Sequence, residues 1–218
     1  MKKIAVLLSG SGVFDGSELH EAVLTLLCLT QAGASYQCFA PDIEQMHVVN
    51  HLTGEVNVDD KRNVLVESAR IARGDIKATT ELDIEKFDAL VIPGGFGAAK
   101  NLCNFAVNGS DCDLAPEVET FINEFIEAKK PVGFICIAPV MIPKLYNVGA
   151  RGTIGHDSET AHAFNLMGGQ HVDANVEQIV VDEANKLVST PAYMLAENIA
   201  QAHIGIEKLV NKVLELTA

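Results

Sequence analysis

Short, mostly apolar runs alternate along the chain with longer segments whose apolar positions recur every three or four residues. Lys3–Leu8, Ser35–Ala40, Ala89–Ile92 and Val132–Ile135 are of the first kind and read as strands buried on both faces. The second kind predicts helices at Ser17–Ala32, Arg62–Ala72, Glu117–Lys129 and Met194–Leu216. Ser17 is the expected N-cap of the first, and Gly33 and Gly74 follow the first two as stops. Ile179–Asp182 and Lys186–Thr190, joined by Glu183-Ala-Asn185, predict a hairpin; Val48–Val58, around Thr53-Gly54, predicts a smaller one. Gly152–Ile154 reads as another short strand. Strands that alternate with helices imply an α/β fold with a mostly parallel sheet covered on both faces. No repeat, low-complexity run or linker interrupts the pattern, so residues 1–218 are expected to form one domain.

Composition narrows the classes. The chain is 48% hydrophobic and 21% charged, within the range of globular proteins. A net charge of −13 argues against nucleic acid as partner, because phosphate binding needs a basic face. No apolar run reaches membrane-spanning length, so no membrane partner is expected. Met1–Leu8 reads as the first strand, not a signal peptide, because Ser9-Gly-Ser-Gly12 breaks the apolar run early. The five cysteines are an odd number with no C-x-x-C pair, which suits reduced thiols and predicts a cytoplasmic location.

In a parallel sheet, ligands bind beyond the carboxyl ends of the strands. Ser9–Gly16, Pro93–Lys100, Cys136–Pro139 and Gly155–Asp157 all follow predicted strand ends, which suggests one site. Cys136 falls between the strand Val132–Ile135 and a helical start at Ala138-Pro139. A thiol in such a bend points at a helix N-terminus and is a candidate nucleophile; the alternative is a buried structural thiol. Gly94 and Gly95 let backbone N–H groups face a ligand, and the N–H groups of Gly95 and Ile137 are placed to form an oxyanion hole. Glu18, in the first turn of the first helix, is either a helix-start carboxylate that complements the dipole or an acid/base partner of the thiol. His156, one helix and one strand beyond Cys136, either reaches the thiol or is an exposed loop histidine. Gly10-x-Gly12-x-x-x-Gly16 is one residue too long for a dinucleotide fingerprint, although Asp42 stands where a ribose partner would be expected. His47 and His51 lack a third metal ligand. No metal or cofactor is expected.

Leu8–Ala22, Asn50–Glu55, Val91–Leu102, Gly133–Pro139 and Thr190–Ala196 together resemble the ThiJ/PfpI superfamily, the class I glutamine-amidotransferase-like fold. They are most similar to its ElbB branch, known for isoprenoid-biosynthesis, lycopene-enhancing and glyoxalase proteins. The resemblance implies a flavodoxin-like three-layer sandwich, a homodimer, and an elbow cysteine beside a first-helix glutamate, positions that Cys136 and Glu18 match. The chain departs from the glutaminases, which carry small residues around the elbow and a late His-x-Glu. Here Phe134 and Ala138 flank the cysteine, and Pro191-Ala-Tyr-Met194 follows Thr190. It departs from the PfpI proteases too, whose histidine directly after the cysteine is Ile137 here. Amide hydrolysis is therefore disfavoured. The expected activity is a cofactor-independent glyoxalase that converts a small dicarbonyl, glyoxal or methylglyoxal, to the 2-hydroxy acid through a cysteine hemithioacetal. The alternatives are a redox-sensing or chaperone-like protein with an oxidisable cysteine, and an accessory protein in isoprenoid biosynthesis.

Overall fold

A computed structural model describes residues 1–217. Its strands are β1 Lys3–Leu7, β2 Ser35–Ala40, β3 Ile76–Ala78, β4 Ala89–Ile92, β5 Val132–Ile135, β6 Arg151–Gly152, β7 Gln170–His171, β8 Val180–Asp182 and β9 Leu187–Thr190. Its α-helices are α1 Leu19–Gln31, α2 Val64–Ile71, α3 Phe105–Asn108, α4 Pro116–Glu127, α5 Ile142–Leu145, α6 Ser158–Leu166 and α7 Ile199–Glu215. Seven strands form one sheet in the order β3-β2-β1-β4-β5-β9-β8, parallel except for β8. This is the expected three-layer α/β fold with a mostly parallel sheet.

The period of two along β1 divides its side chains between two cores. Ala5 and Leu7 face Val118, Phe121, Ile122 and Phe125 of α4, together with Phe39 and Phe134. Ile4 and Val6 face Ala22 and Leu29 of α1 and Ile206, Leu209 and Val213 of α7. Both faces of the central strands β1, β4 and β5 are covered, which is why those strands are mostly apolar.

Several local expectations are corrected. The N-cap of α1 is Glu18, whose carboxylate accepts the Glu21 N–H at 2.7 Å. Ser17 is occupied elsewhere, accepting the Ser9 N–H at 2.8 Å. The expected Val48–Val58 hairpin is a single bridge, Val49 to Val56. That segment is pinned from outside: the buried Asp15 carboxylate accepts the Val49 N–H at 2.7 Å, and Asn101 accepts that of Met46 at 2.9 Å. Asp42 holds the N-cap of α2, accepting from Asn63 at 2.8 Å. β6 pairs with β7 in a separate two-stranded sheet and does not extend the central one. The short elements β3 and α6 add to those expected.

The loops after β1 and β4 interlock by backbone alone. Gly97 donates to Gly16 O at 2.8 Å, Phe96 to Val13 O at 2.8 Å, and Glu18 to Gly94 O at 2.9 Å. Gly97 has an ordinary helical backbone, φ −60°, so its identity is set by space: a Cβ would lie 2.5 Å from Gly16 and Ser9 backbone atoms. Gly97→Ala is therefore expected to lower unfolding free energy by about 1–3 kcal/mol, the usual cost of overpacking, measured by chemical denaturation.

Candidate active site

β5 ends at the carboxyl edge of the sheet and delivers Cys136 in a left-handed backbone conformation, φ 63°. Such a φ is uncommon for a residue with a Cβ and is held only by surrounding contacts. The Cys136 N–H donates to Thr190 O on β9 at 2.9 Å, and a 3₁₀ turn starts at Ala138. The sulfur is nearly buried at the floor of a cavity of about 390 Å³. All four predicted loops reach that cavity, through Val13, Gly95, Cys136 and Asp157, and a fifth follows β9 with Tyr193. Most of the remaining wall is apolar, including Phe96, Phe105 and Met194.

The backbone N–H groups of Gly95 and Ile137 lie beside the Cys136 sulfur and favour its ionised form. The residue pair predicted for an oxyanion hole thus lies next to the thiol. Gly94 does something else. Its N–H donates to the Glu21 carboxylate at 2.9 Å, and a Cβ there would run into both Cys136 and Glu21. It is a spacer between those side chains, not a ligand-facing amide.

The carboxyl group hydrogen-bonded to the thiol is that of Glu21. Glu18 lies one helical turn earlier; one of its oxygens caps α1 while the residue lines the cavity. Glu21 is fully buried, and its carboxylate also accepts the Tyr193 N–H at 3.1 Å. Its signal in the sequence was position: Glu21, Ala22, Thr25, Cys28 and Leu29 share the buried stripe of α1, where an acid is out of place. His156 is exposed and is not among the cavity-lining residues. The register that would have brought it to the thiol assumed a central strand before it, whereas β6 belongs to the small sheet. Its neighbour Asp157 caps α6, accepting the Thr160 N–H at 2.9 Å; the Thr160 hydroxyl first, and that N–H second, hold its carboxyl below the usual range.

Burial raises the Glu21 carboxyl from 4.5 to about 8, with the nearby Glu18 charge adding to the rise and three hydrogen bonds opposing it. Burial and the Glu21 charge push the Cys136 thiol up, while the Gly95 and Ile137 amides pull it down. The two titrations are coupled through the Glu21 charge. With Glu21 protonated that repulsion vanishes and the amides remain, which eases ionisation of the thiol. The other buried thiols lack this arrangement: Cys38 and Cys103 are pushed up to about 12, chiefly by burial. All five cysteines are free.

The loop Ser9–Gly16 spends its amides internally or on neighbours: Gly10 donates to Ser68, Gly12 to Ser17 O, Phe14 to His51 and Gly16 to Gly12 O. It is not a phosphate cradle. Among the described residues, no helix is long and apolar enough to cross a membrane, and no group of three or more His, Cys, Asp or Glu residues is placed to hold a metal ion.

The DJ-1/PfpI family model matches residues 2–199. The chain belongs to the DJ-1/PfpI family. Among curated proteins of similar sequence, the rat "ES1 protein homolog, mitochondrial" is 47% identical over 224 residues, covering 99% of this chain and 84% of that protein. The human "Glutamine amidotransferase-like class 1 domain-containing protein 3, mitochondrial" is 46% identical, covering 99% and 83%. The solved structure of an isoprenoid biosynthesis protein with an amidotransferase-like domain from Ehrlichia chaffeensis superposes with a TM-score of 0.94 at 38% identity, covering 100% of both chains. The cytoplasmic location expected from cysteine usage is corrected by these relatives, since both curated ones are named mitochondrial. The cysteine argument identifies a reducing environment and does not distinguish one such compartment from another.

The raised Glu21 carboxyl has a consequence for stability. The native state keeps a proton that the unfolded chain gives up above pH 4.5, so stability from this group is full below that pH and falls as pH rises towards about 8. Glu21→Gln is expected to flatten that fall. It should also lose about 1–3 kcal/mol at low pH, because an amide cannot accept both backbone N–H bonds. Denaturant unfolding of both proteins across this pH range is the check.

Proposed function

We propose that the protein is a cofactor-independent glyoxalase for small 2-oxoaldehydes. The observation that carries this reading is a buried thiol beside a buried carboxyl group, with the Gly95 and Ile137 amides next to its sulfur, in a small, mostly apolar cavity. Among the described residues lining that cavity there is no histidine to protonate an amide leaving group.

In this reading Glu21 holds the thiol's proton, and the Cys136 thiolate adds to the aldehyde carbon. A C–S bond forms and the carbonyl π pair moves to oxygen, where the Gly95 and Ile137 amides stabilise it. Glu18, which lines the cavity, removes the hydrogen from the carbon that bears sulfur and returns it to the neighbouring carbon. The enediol between these steps becomes a 2-hydroxy thioester. Water cleaves the thioester, which releases the 2-hydroxy acid and restores the thiol. The sum is addition of one water to the 2-oxoaldehyde, with no net oxidation.

The name of the Ehrlichia chaffeensis relative supports a second reading, an accessory role in isoprenoid biosynthesis. It names no chemistry for the thiol, whereas the glyoxalase reading uses each group around Cys136.

Cys136→Ala is expected to abolish conversion of methylglyoxal to lactate. Glu18→Gln should lower kcat about 10²-fold or more, the usual contribution of a general base. Steady-state assay of both variants is the check, and wild-type turnover by Cys136→Ala would refute the mechanism.

A further inference from the structure

We propose that Tyr193 is the proton donor of the Cys136 site and that His20 resupplies it from solvent. The inference deepens the reading of Cys136 as a nucleophile that adds to carbonyl compounds, and rests on it. Tyr193 lines the same cavity as Cys136, and its hydroxyl lies 2.8 Å from Nδ1 of His20. His20 is exposed on the first turn of α1, so the hydrogen bond runs from the cavity wall to bulk water.

The placement of Tyr193 is built from both sides. Its backbone N–H donates to Glu21, the same carboxyl group that bonds the thiol. The residue before it, Ala192, is buried and left-handed at φ 40°. Cys136 and Ala192 are thus two non-glycine residues held in an uncommon conformation at one site, one aiming the sulfur and the other aiming the phenol. Burial, then the charges of Glu18 and Glu21, push the Tyr193 phenol up, so it is present as a donor. The site therefore obtains a histidine from α1, outside both places where the resemblance led one to look for it.

When the thiolate adds to an aldehyde, the new C–S bond sends the carbonyl π pair to oxygen. The Tyr193 O–H bond then breaks and its proton goes to that oxygen. The imidazolium form of His20 passes its Nδ1 proton to the phenolate and regains one from water. The amides of Gly95 and Ile137 hold the oxyanion until the proton arrives. Tyr193 meets the reacting oxygen; His20 acts through Tyr193.

The test is the rate at which an aromatic aldehyde adds to the enzyme, followed by loss of its carbonyl absorbance, in wild type, Tyr193→Phe and His20→Ala. Phe keeps the backbone N–H that Glu21 accepts, and Ala suits an exposed helical position; thermal melts verify folding of both variants. Each substitution is expected to slow addition about 10²-fold or more. Added imidazole should restore His20→Ala and leave Tyr193→Phe slow, which a merely structural role would not produce. Addition at the wild-type rate by Tyr193→Phe overturns the proposal, and so does a His20→Ala enzyme that imidazole does not restore. Tyrosine-dependent addition without turnover of any 2-oxoaldehyde keeps the relay and removes the glyoxalase reading. Absence of addition by the wild type overturns both.

Discussion

A fully buried carboxyl group, that of Glu21, ties together four segments of the chain. It belongs to α1, accepts the N–H of Gly94 after β4 and of Tyr193 after β9, and bonds the thiol of Cys136 after β5. A charged carboxylate in that position is costly unless paired. The protein meets the cost by lifting the group's proton affinity and by giving it the sulfur as a partner for the proton. A protonated Glu21 also leaves no carboxylate charge to oppose ionisation of the Cys136 thiol.

The glycines around the site serve that pair. Gly94 leaves room for Cys136 and Glu21 to meet, and Gly97 lets the loops after β1 and β4 touch backbone to backbone. With the two loops locked, the Gly95 amide is held on the sulfur together with that of Ile137. Amides fixed beforehand need no reorganisation when charge develops beside them. The cavity above is mostly apolar, so interactions at its floor are strengthened by the scarcity of water.

The principal strands were legible because burial on both faces leaves a short apolar run with few rivals. The elbow at Cys136 was legible because an apolar strand ends just before it and a helical start with Pro139 follows. Glu18 and Glu21 were harder to tell apart, since both sit near the N-terminus of α1 and only the side-chain hydrogen bonds separate the cap from the thiol partner. A serine at position 17 offered a conventional cap, but tertiary contact with Ser9 took it. Of the two readings of His156, the exposed loop histidine holds; the other came from counting elements, which assumes that each strand joins the main sheet, and β6 does not. Tyr193 stood in the sequence only as the absence of a histidine, and its contact with His20 spans 173 positions along the chain.

Glu21 keeps its proton at neutral pH, so no carboxylate charge opposes ionisation of the Cys136 thiol. Infrared difference spectroscopy at neutral pH between wild type and Glu21→Gln reads it directly. A carbonyl band of a protonated, buried carboxylic acid is expected in the wild type, missing from the variant and fading as pH rises through about 8. A wild-type spectrum with only carboxylate bands at neutral pH would contradict it.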